Sequence, residues 1–153
     1  MKTMDKQDNA VLLKRQFAAP VSKLFRAWSD PAYLRKWHAP GAMTVIVCEA
    51  DFRVGGQYRF VMQNSGDDGQ HGVHGEYLEI KENSLIRLTW QWDGSSVRTE
   101  IELRFSASGN GSELQLKHTQ FPDEDARIRH NQGWVGVLDN LAKYLELPEG
   151  VPA

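Results

Sequence analysis

A chain of 153 residues fits one domain, and a domain of this size buries about 68–70% of the surface it exposes when unfolded, enough for one core. Hydrophobic residues make up 41% and charged residues 25%, and the net charge is −2. That is the balance of a soluble globular protein with no basic excess for a nucleic-acid backbone, so no nucleic-acid partner is expected.

The five tryptophans could stack on bases, but without a basic groove they do not argue for it. A single cysteine, Cys48, excludes an internal disulfide and suits a reducing cytoplasm, which is the expected location. The start "MKTMDKQDN" has no apolar stretch of the secretory kind. No apolar run approaches the roughly 18 residues of a membrane helix, so membrane insertion is not expected.

Residues 1–9 read as a disordered tail. "AVLLKRQF" (10–17) predicts a first strand. In "APVSKLFRAWSDPAYLRKW", Leu24, Phe25 and Trp28 recur at helical spacing, and Pro31 divides the segment into two short helices. "HAPGA" (38–42) is a loop. From 43 to 121 the period changes to that of strands. "MTVIVCEADF", "QYRFVMQ", "HGVHGEYLEI", "SLIRLTWQW", "VRTEIELRF" and "SELQLKHTQ" are separated by short turn compositions, which favours an antiparallel meander. Residues 123–147 predict one long helix. Asp123 is its N-cap, Glu124 and Asp125 suit the positive end of its dipole, and Trp134, Leu138, Leu141 and Leu145 recur along one side. Residues 148–153 read as a C-terminal tail, which leaves 10–147 as the domain.

Register follows from the turns. In "VRTEIELRF", Val97, Thr99, Ile101, Leu103 and Phe105 face in. A four-residue loop at 93–96 sets Trp92 opposite Val97, Trp90 opposite Thr99 and Leu88 opposite Ile101. On the outer face Arg87, Glu102 and Lys117 form a charge ladder, either a docking patch or a solvated face. His118 falls opposite Ile101. For "DFRVGGQYRF" a three-residue loop, Val54 to Gly56, sets Phe52 opposite Tyr58, Ala50 opposite Phe60 and Asp51 opposite Arg59. Gly56 is then expected at positive φ, and the glycine pair is a turn rather than a phosphate cradle. The loops at 64–72 and 93–96 share one sheet end with the helix start. The helix is polar in its first half, so a cavity is expected to open there.

The order of elements resembles the helix-grip domains of the START-like (SRPBCC) superfamily. "WSDPAYLRKWHAPGAMTV", "CEADFRVGGQYRF", "HGEYLEI", "LTW" and "GWVGVLDNLAKYLE" are similar to the AHSA-type family, named for the activator of a heat-shock-protein ATPase. The resemblance implies an α+β fold with a seven-strand antiparallel sheet curved around the long helix and the first strand paired with the last. It also implies a cavity between sheet and helix that takes a small, largely apolar or aromatic molecule, with no cofactor. Chaperone activators of this family carry a further N-terminal domain that this sequence does not show, so a chaperone is the lesser expected partner.

The expected lining of that cavity is Tyr58, Phe60, Met62, Tyr77, Trp90, Trp92, Thr99, Ile101, His118, His130, Trp134 and Leu138. Any single one of these also reads as ordinary core. His118, on the inner face, is either an acid/base group or a hydrogen-bonded structural histidine. "HGVHGEYLEI" is ambiguous. Strict alternation puts His74 and Glu76 inside, where Glu76 would be a candidate general acid. A bulge near Gly75 or Tyr77 instead turns Tyr77 inward and Glu76 out. If the cavity is an enzyme site, His118, Glu76 and His74 are its candidates. His71 and His74 point to opposite faces, and no paired-ligand motif appears, so no metal site is expected. Trp37 and "HAPG" either shape a lid beside the mouth or, in the case of Trp37, pack the short helices onto the sheet. Gly133 and Gly136 either let the long helix approach the sheet closely or loosen it.

Overall fold

The computed structural model describes residues 10–146. The tails expected at 1–9 and 148–153, and the domain boundary at 147, lie outside the described residues. In chain order the elements are β1 (Val11–Phe17), α1 (Val21–Ser29), α2 (Pro31–Leu34), β2 (Thr44–Ala50), β3 (Gln57–Gln63), β4 (Gln70–Lys81), β5 (Leu85–Trp92), β6 (Thr99–Ser108), β7 (Gly111–Thr119) and α3 (Glu124–Leu145). The seven strands form one sheet in the order β1-β7-β6-β5-β4-β3-β2, antiparallel throughout. The first strand does pair with the last, and the architecture is the expected α+β helix-grip fold, with the sheet curled around α3.

The two short helices break where the sequence breaks them. Asp30 accepts a hydrogen bond from the Ala32 N–H at 2.9 Å and so caps α2, and Pro31 occupies its first turn, where no N–H is needed. α3 starts the same way, with the Asp123 carboxylate accepting from the Ala126 N–H at 2.8 Å. Its buried side is Ala126, Trp134, Val137, Leu138, Leu141 and Leu145. α1 buries Leu24, Phe25, Ala27 and Trp28 against it and the sheet, with Phe25 edge-on to Phe105 at 5.2 Å.

The register of β5, β6 and β7 follows the expectation: Trp90 faces Thr99, Leu88 faces Ile101, Arg87 faces Glu102, Lys117 faces Glu102 and His118 faces Ile101. Two details differ. β6 begins at Thr99, and Val97 stands 38% exposed in the turn rather than opposite Trp92. Local hydrogen bonds account for it: the Gln91 amide donates to the Ser95 carbonyl at 2.7 Å and the Val97 N–H donates to Ser95 Oγ at 3.1 Å. On the outer face Arg87 pairs with Glu79 at 3.1 Å and Glu100 at 3.8 Å, while Glu102 takes Arg104 at 3.1 Å. These exposed pairs are worth at most about 1 kcal/mol each.

The glycine pair corrects the β2–β3 register. Ala50 faces Tyr58, Cys48 faces Phe60 and Glu49 faces Arg59, two residues from the expected pairing. Positive φ falls on Gly55 (+86°), not on Gly56. The cause is a third strand. The Gly55 N–H donates to the Tyr77 carbonyl, and the Tyr77 N–H donates to the Gly56 carbonyl, each at 2.9 Å. The turn is thereby held on β4 and takes up more residues. Gly56 is needed for a different reason: a Cβ there would lie 2.0 Å from the Asp51 carbonyl oxygen. Phe52 remains inside, edge-on to Tyr77 at 5.0 Å, because the slip of two preserves its face.

The ambiguity in β4 resolves toward the bulge. The register shifts between Tyr77 and Glu79, so Tyr77 is buried, and Glu76 and His74 lie on the outer face opposite Gln57 and Arg59.

Candidate functional site

The antiparallel order brings the β3–β4 turn, the β5–β6 turn and the start of α3 to one end of the sheet. A cavity of about 420 Å³ opens there. The sheet contributes Met62, His71, Trp90 and Trp92. The loop after α2 contributes His38, Pro40 and Met43. α3 contributes Arg129, His130, Gly133, Trp134 and Val137. The volume falls in the range of about 300–1,000 Å³ usual for small-molecule pockets.

Two glycines of α3 shape this space, though not by drawing the helix onto the sheet. A Cβ on Gly133 would meet nothing within 4 Å, so the missing side chain is part of the opening. A Cβ on Gly136 would lie 3.3 Å from Pro40 Cβ, so this position lets the 38–41 loop come close to the helix. Asn140 holds that loop, donating from Nδ2 to the Ala39 carbonyl at 2.6 Å and the Gly41 carbonyl at 3.0 Å. "HAPG" is therefore one wall of the mouth. Trp37 packs the short helices, donating its indole N–H to the Ala27 carbonyl at 3.2 Å and standing edge-on to Trp28 at 4.6 Å.

Of the residues expected along the cavity, Met62, Trp90, Trp92, His130 and Trp134 line it. Phe60, Tyr77 and Ile101 lie deeper, around a void of about 20 Å³ that also touches His38, Trp90 and Trp134. Tyr58, Thr99, His118 and Leu138 line neither space. Tyr58 is turned into the sheet, its hydroxyl donating to the Thr89 carbonyl. Leu138 is buried in the core. The open space narrows at the rings of His38, Trp90 and Trp134, which stand between the outer cavity and the inner void.

His118 is held in a closed chain of hydrogen bonds. The Trp134 indole N–H donates to His118 Nδ1 at 3.0 Å. An indole nitrogen can only donate, so Nδ1 is the bare nitrogen and Nε2 carries the proton. Nε2–H then donates to Thr99 Oγ1 at 2.6 Å, and that hydroxyl donates to the Trp90 carbonyl at 2.9 Å. Burial, and secondly the nearby His130, holds the imidazole well below its ordinary pKa of 6.5. With both nitrogens engaged and no face on the cavity, His118 takes the second of its two expected forms, a hydrogen-bonded structural histidine.

His130 is the mirror case. Its Nδ1–H donates to the Ala126 carbonyl at 2.7 Å, and its Nε2 accepts from the Trp92 indole N–H at 2.9 Å. Its pKa is lowered, by burial first, against the opposing effect of the Ala126 carbonyl. Phe121 packs against both histidines, 4.4 Å from His118 and 4.8 Å from His130, and the two imidazoles stand edge-on 5.3 Å apart. This cluster ties the start of α3 to β5 and β7.

The other two acid/base candidates face away from the cavity. Glu76 is on the outer face, with its backbone N–H donating to Thr89 Oγ1 at 2.9 Å. His74 Nδ1 lies 2.9 Å from Asp93, which also pairs with Arg59. These two partners, His74 first, hold the Asp93 carboxyl below its usual range. Among the described residues no group of three or more His, Cys, Asp or Glu side chains is placed to hold a metal ion.

Sequence reasoning did not assign His38, Pro40, Met43, His71, Arg129, Gly133 or Val137 to the cavity. His38 matters most. It is fully buried, with its ring 4.9 Å from Phe60, 5.7 Å from Trp134 and 5.9 Å from Trp90. Burial lowers its pKa to about 4, against the opposing effect of its own backbone, so it is neutral near pH 7. Its signal was the loop itself, which sequence placed beside the mouth without saying which side chain turned inward.

Comparison with solved structures agrees with this architecture. Protein CV1439 from Chromobacterium violaceum superposes with a TM-score of 0.84 at 28% identity, covering 92% of this chain and 99% of that one. The AHSA1 protein from Silicibacter pomeroyi gives 0.80 at 28% identity, covering 89% and 96%. No curated protein matches the chain. The family model described as "Activator of Hsp90 ATPase homolog 1-like protein" matches residues 18–146, and the chain belongs to that family.

Proposed function

We propose that this domain binds a small, largely apolar molecule in the cavity at the start of α3. The observation that carries this reading is the cavity of about 420 Å³ walled by Trp90, Trp92, Trp134, Met43, Met62 and Val137. Rigid aromatic walls bury a flat ligand at little conformational cost. A binding role is favoured over catalysis because, of the three acid/base candidates, Glu76 and His74 lie on the outer face and His118 has both ring nitrogens engaged. Among the described residues that line the cavity there is no serine, threonine, cysteine, lysine or carboxylate to act as a nucleophile.

The single cysteine, Cys48, is free and half-buried, and burial pushes its thiol up to about 11. With one cysteine the chain forms no internal disulfide, which supports a reducing cytoplasm as the location we propose. Among the described residues no helix is long and apolar enough to cross a membrane.

Native mass spectrometry of the protein isolated from its own cells tests the binding role. A discrete added mass that leaves on denaturation supports it. A wild-type mass without any adduct, together with no thermal stabilisation by any compound of a broad apolar library, removes it. A ligand at 100 times its Kd should stabilise the fold by about 2.7 kcal/mol.

A further inference from the structure

Three buried side-chain nitrogens have no hydrogen-bond partner among the described residues: Trp28 Nε1, His38 Nδ1 and Trp90 Nε1. Their residues are only 5%, 3% and 4% exposed. Unpaired buried polar atoms are rare, because each forgoes its hydration without replacement. Here they are not scattered. Trp28, His38 and Trp90 all line the same inner void of about 20 Å³. Trp28 lies 5.7 Å from His38, and His38 lies 5.9 Å from Trp90, ring centre to ring centre. The other residues around that void are apolar, among them Leu34, Phe60, Ile86, Leu88 and Leu103, apart from the phenol of the buried Tyr77 and the indole of Trp134. His38, Trp90 and Trp134 also line the outer cavity, so the two spaces share a wall.

We propose that this recess is a recognition site for one uncharged hydroxyl oxygen, and that the ligand of the outer cavity is an aromatic or alicyclic alcohol or phenol seated with its hydroxyl against Trp28, His38 and Trp90. The inference rests on the cavity being a ligand site. The hydrogen-bonding inventory selects the group. Two indole N–H groups can only donate, so the partner atom must accept twice. The neutral imidazole of His38 can present a bare Nδ1, which wants a donor. A hydroxyl has two lone pairs and one hydrogen, and so matches all three atoms at once. A carboxylate has no hydrogen for Nδ1 and would bring a charge into apolar surroundings, where charge is costly. The void holds about one heavy atom, which fits an oxygen and excludes a bulkier polar group. Trp134 is not part of the set, because its indole N–H is already given to His118.

The test uses three probes of one shape on the full chain: ethylbenzene, 4-ethylphenol and 4-ethylbenzoate. Affinities come from calorimetric titration, and the indole N–H signals of Trp28 and Trp90 are followed by nitrogen-15 NMR. The expected result is 4-ethylphenol binding at least tenfold tighter than ethylbenzene, with 4-ethylbenzoate weakest and both indole signals moving only with the phenol. The phenol-to-ethylbenzene ratio should fall toward one in His38→Phe and in Trp28→Phe. Equal binding of the phenol and ethylbenzene overturns the hydroxyl site while leaving the apolar cavity standing. That is the result if a fixed water serves the three nitrogens. Binding of none of the probes overturns the cavity reading and this one with it. Because the NMR shifts are read on wild-type protein, a variant that fails to fold does not remove the test.

Discussion

Trp134 on α3 donates its indole N–H to Nδ1 of His118 on β7 at 3.0 Å. That one bond fixes the tautomer of a buried histidine, and through Thr99 it ties the helix to two strands. His118→Ala strands the Trp134 donor and leaves a hole. It should therefore cost about 2–4 kcal/mol in urea unfolding. Nitrogen-15 NMR of the imidazole should show a bare Nδ1 and a protonated Nε2 from pH 8 down to pH 5. A signal titrating near pH 6.5 would mean that the ring is accessible.

The histidines also set the acid side of the stability profile. Burial lowers His38 to about 4 and keeps His118 and His130 below 6.5, whereas in the unfolded chain each titrates near 6.5. As pH falls through 6.5 the unfolded chain takes up these protons first, so stability is complete above that pH and is lost toward the folded values. His38 alone should remove about 2 kcal/mol between pH 7 and pH 5. Urea melts of the wild type and His38→Phe at the two pH values check this, and the variant should show the flatter dependence.

Gly133 and Gly136 are three residues apart on α3 but should respond oppositely. Gly133→Ala gains helix propensity and meets open space, so it should stabilise the fold by about 1 kcal/mol. At Gly136 the same gain is offset by Pro40 at 3.3 Å, so Gly136→Ala should be neutral or destabilising. Thermal melts of the two variants side by side distinguish these effects.

The turn glycines offer a second contrast. Gly55→Ala places a side chain at φ +86° and should cost about 1–2 kcal/mol. Gly56→Ala sets a Cβ 2.0 Å from the Asp51 carbonyl, and the backbone must move. It should therefore cost more than Gly55→Ala, as read from urea midpoints. The reverse order would mean that the Asp51 carbonyl does not crowd position 56.

These four glycines also mark where sequence was readable and where it was not. The β5–β6–β7 register was legible because "VRTEIELRF" alternates cleanly and its partners follow across short turns. The β2–β3 register was not, because Gly55 and Gly56 bond to Tyr77 on a third strand, a contact no local pattern encodes. The bulge that turns Tyr77 inward was visible only as one of two options, since both parities of "HGVHGEYLEI" bury some apolar residues. The end of the sheet that holds the cavity followed from counting turns. The depth of the cavity did not. It is limited by His38, a loop residue whose direction depends on how Asn140 and Gly136 seat the loop after α2.

The most direct measurement is calorimetric titration of 4-ethylphenol into the wild type and Gly133→Leu in parallel. Leu at 133 grows into the cavity from a position where its Cβ meets no atom within 4 Å, so the fold should tolerate it. Binding to the wild type with at least a tenfold loss in Gly133→Leu is expected. Equal binding to both proteins, with the variant folded, would contradict a ligand site at the start of α3.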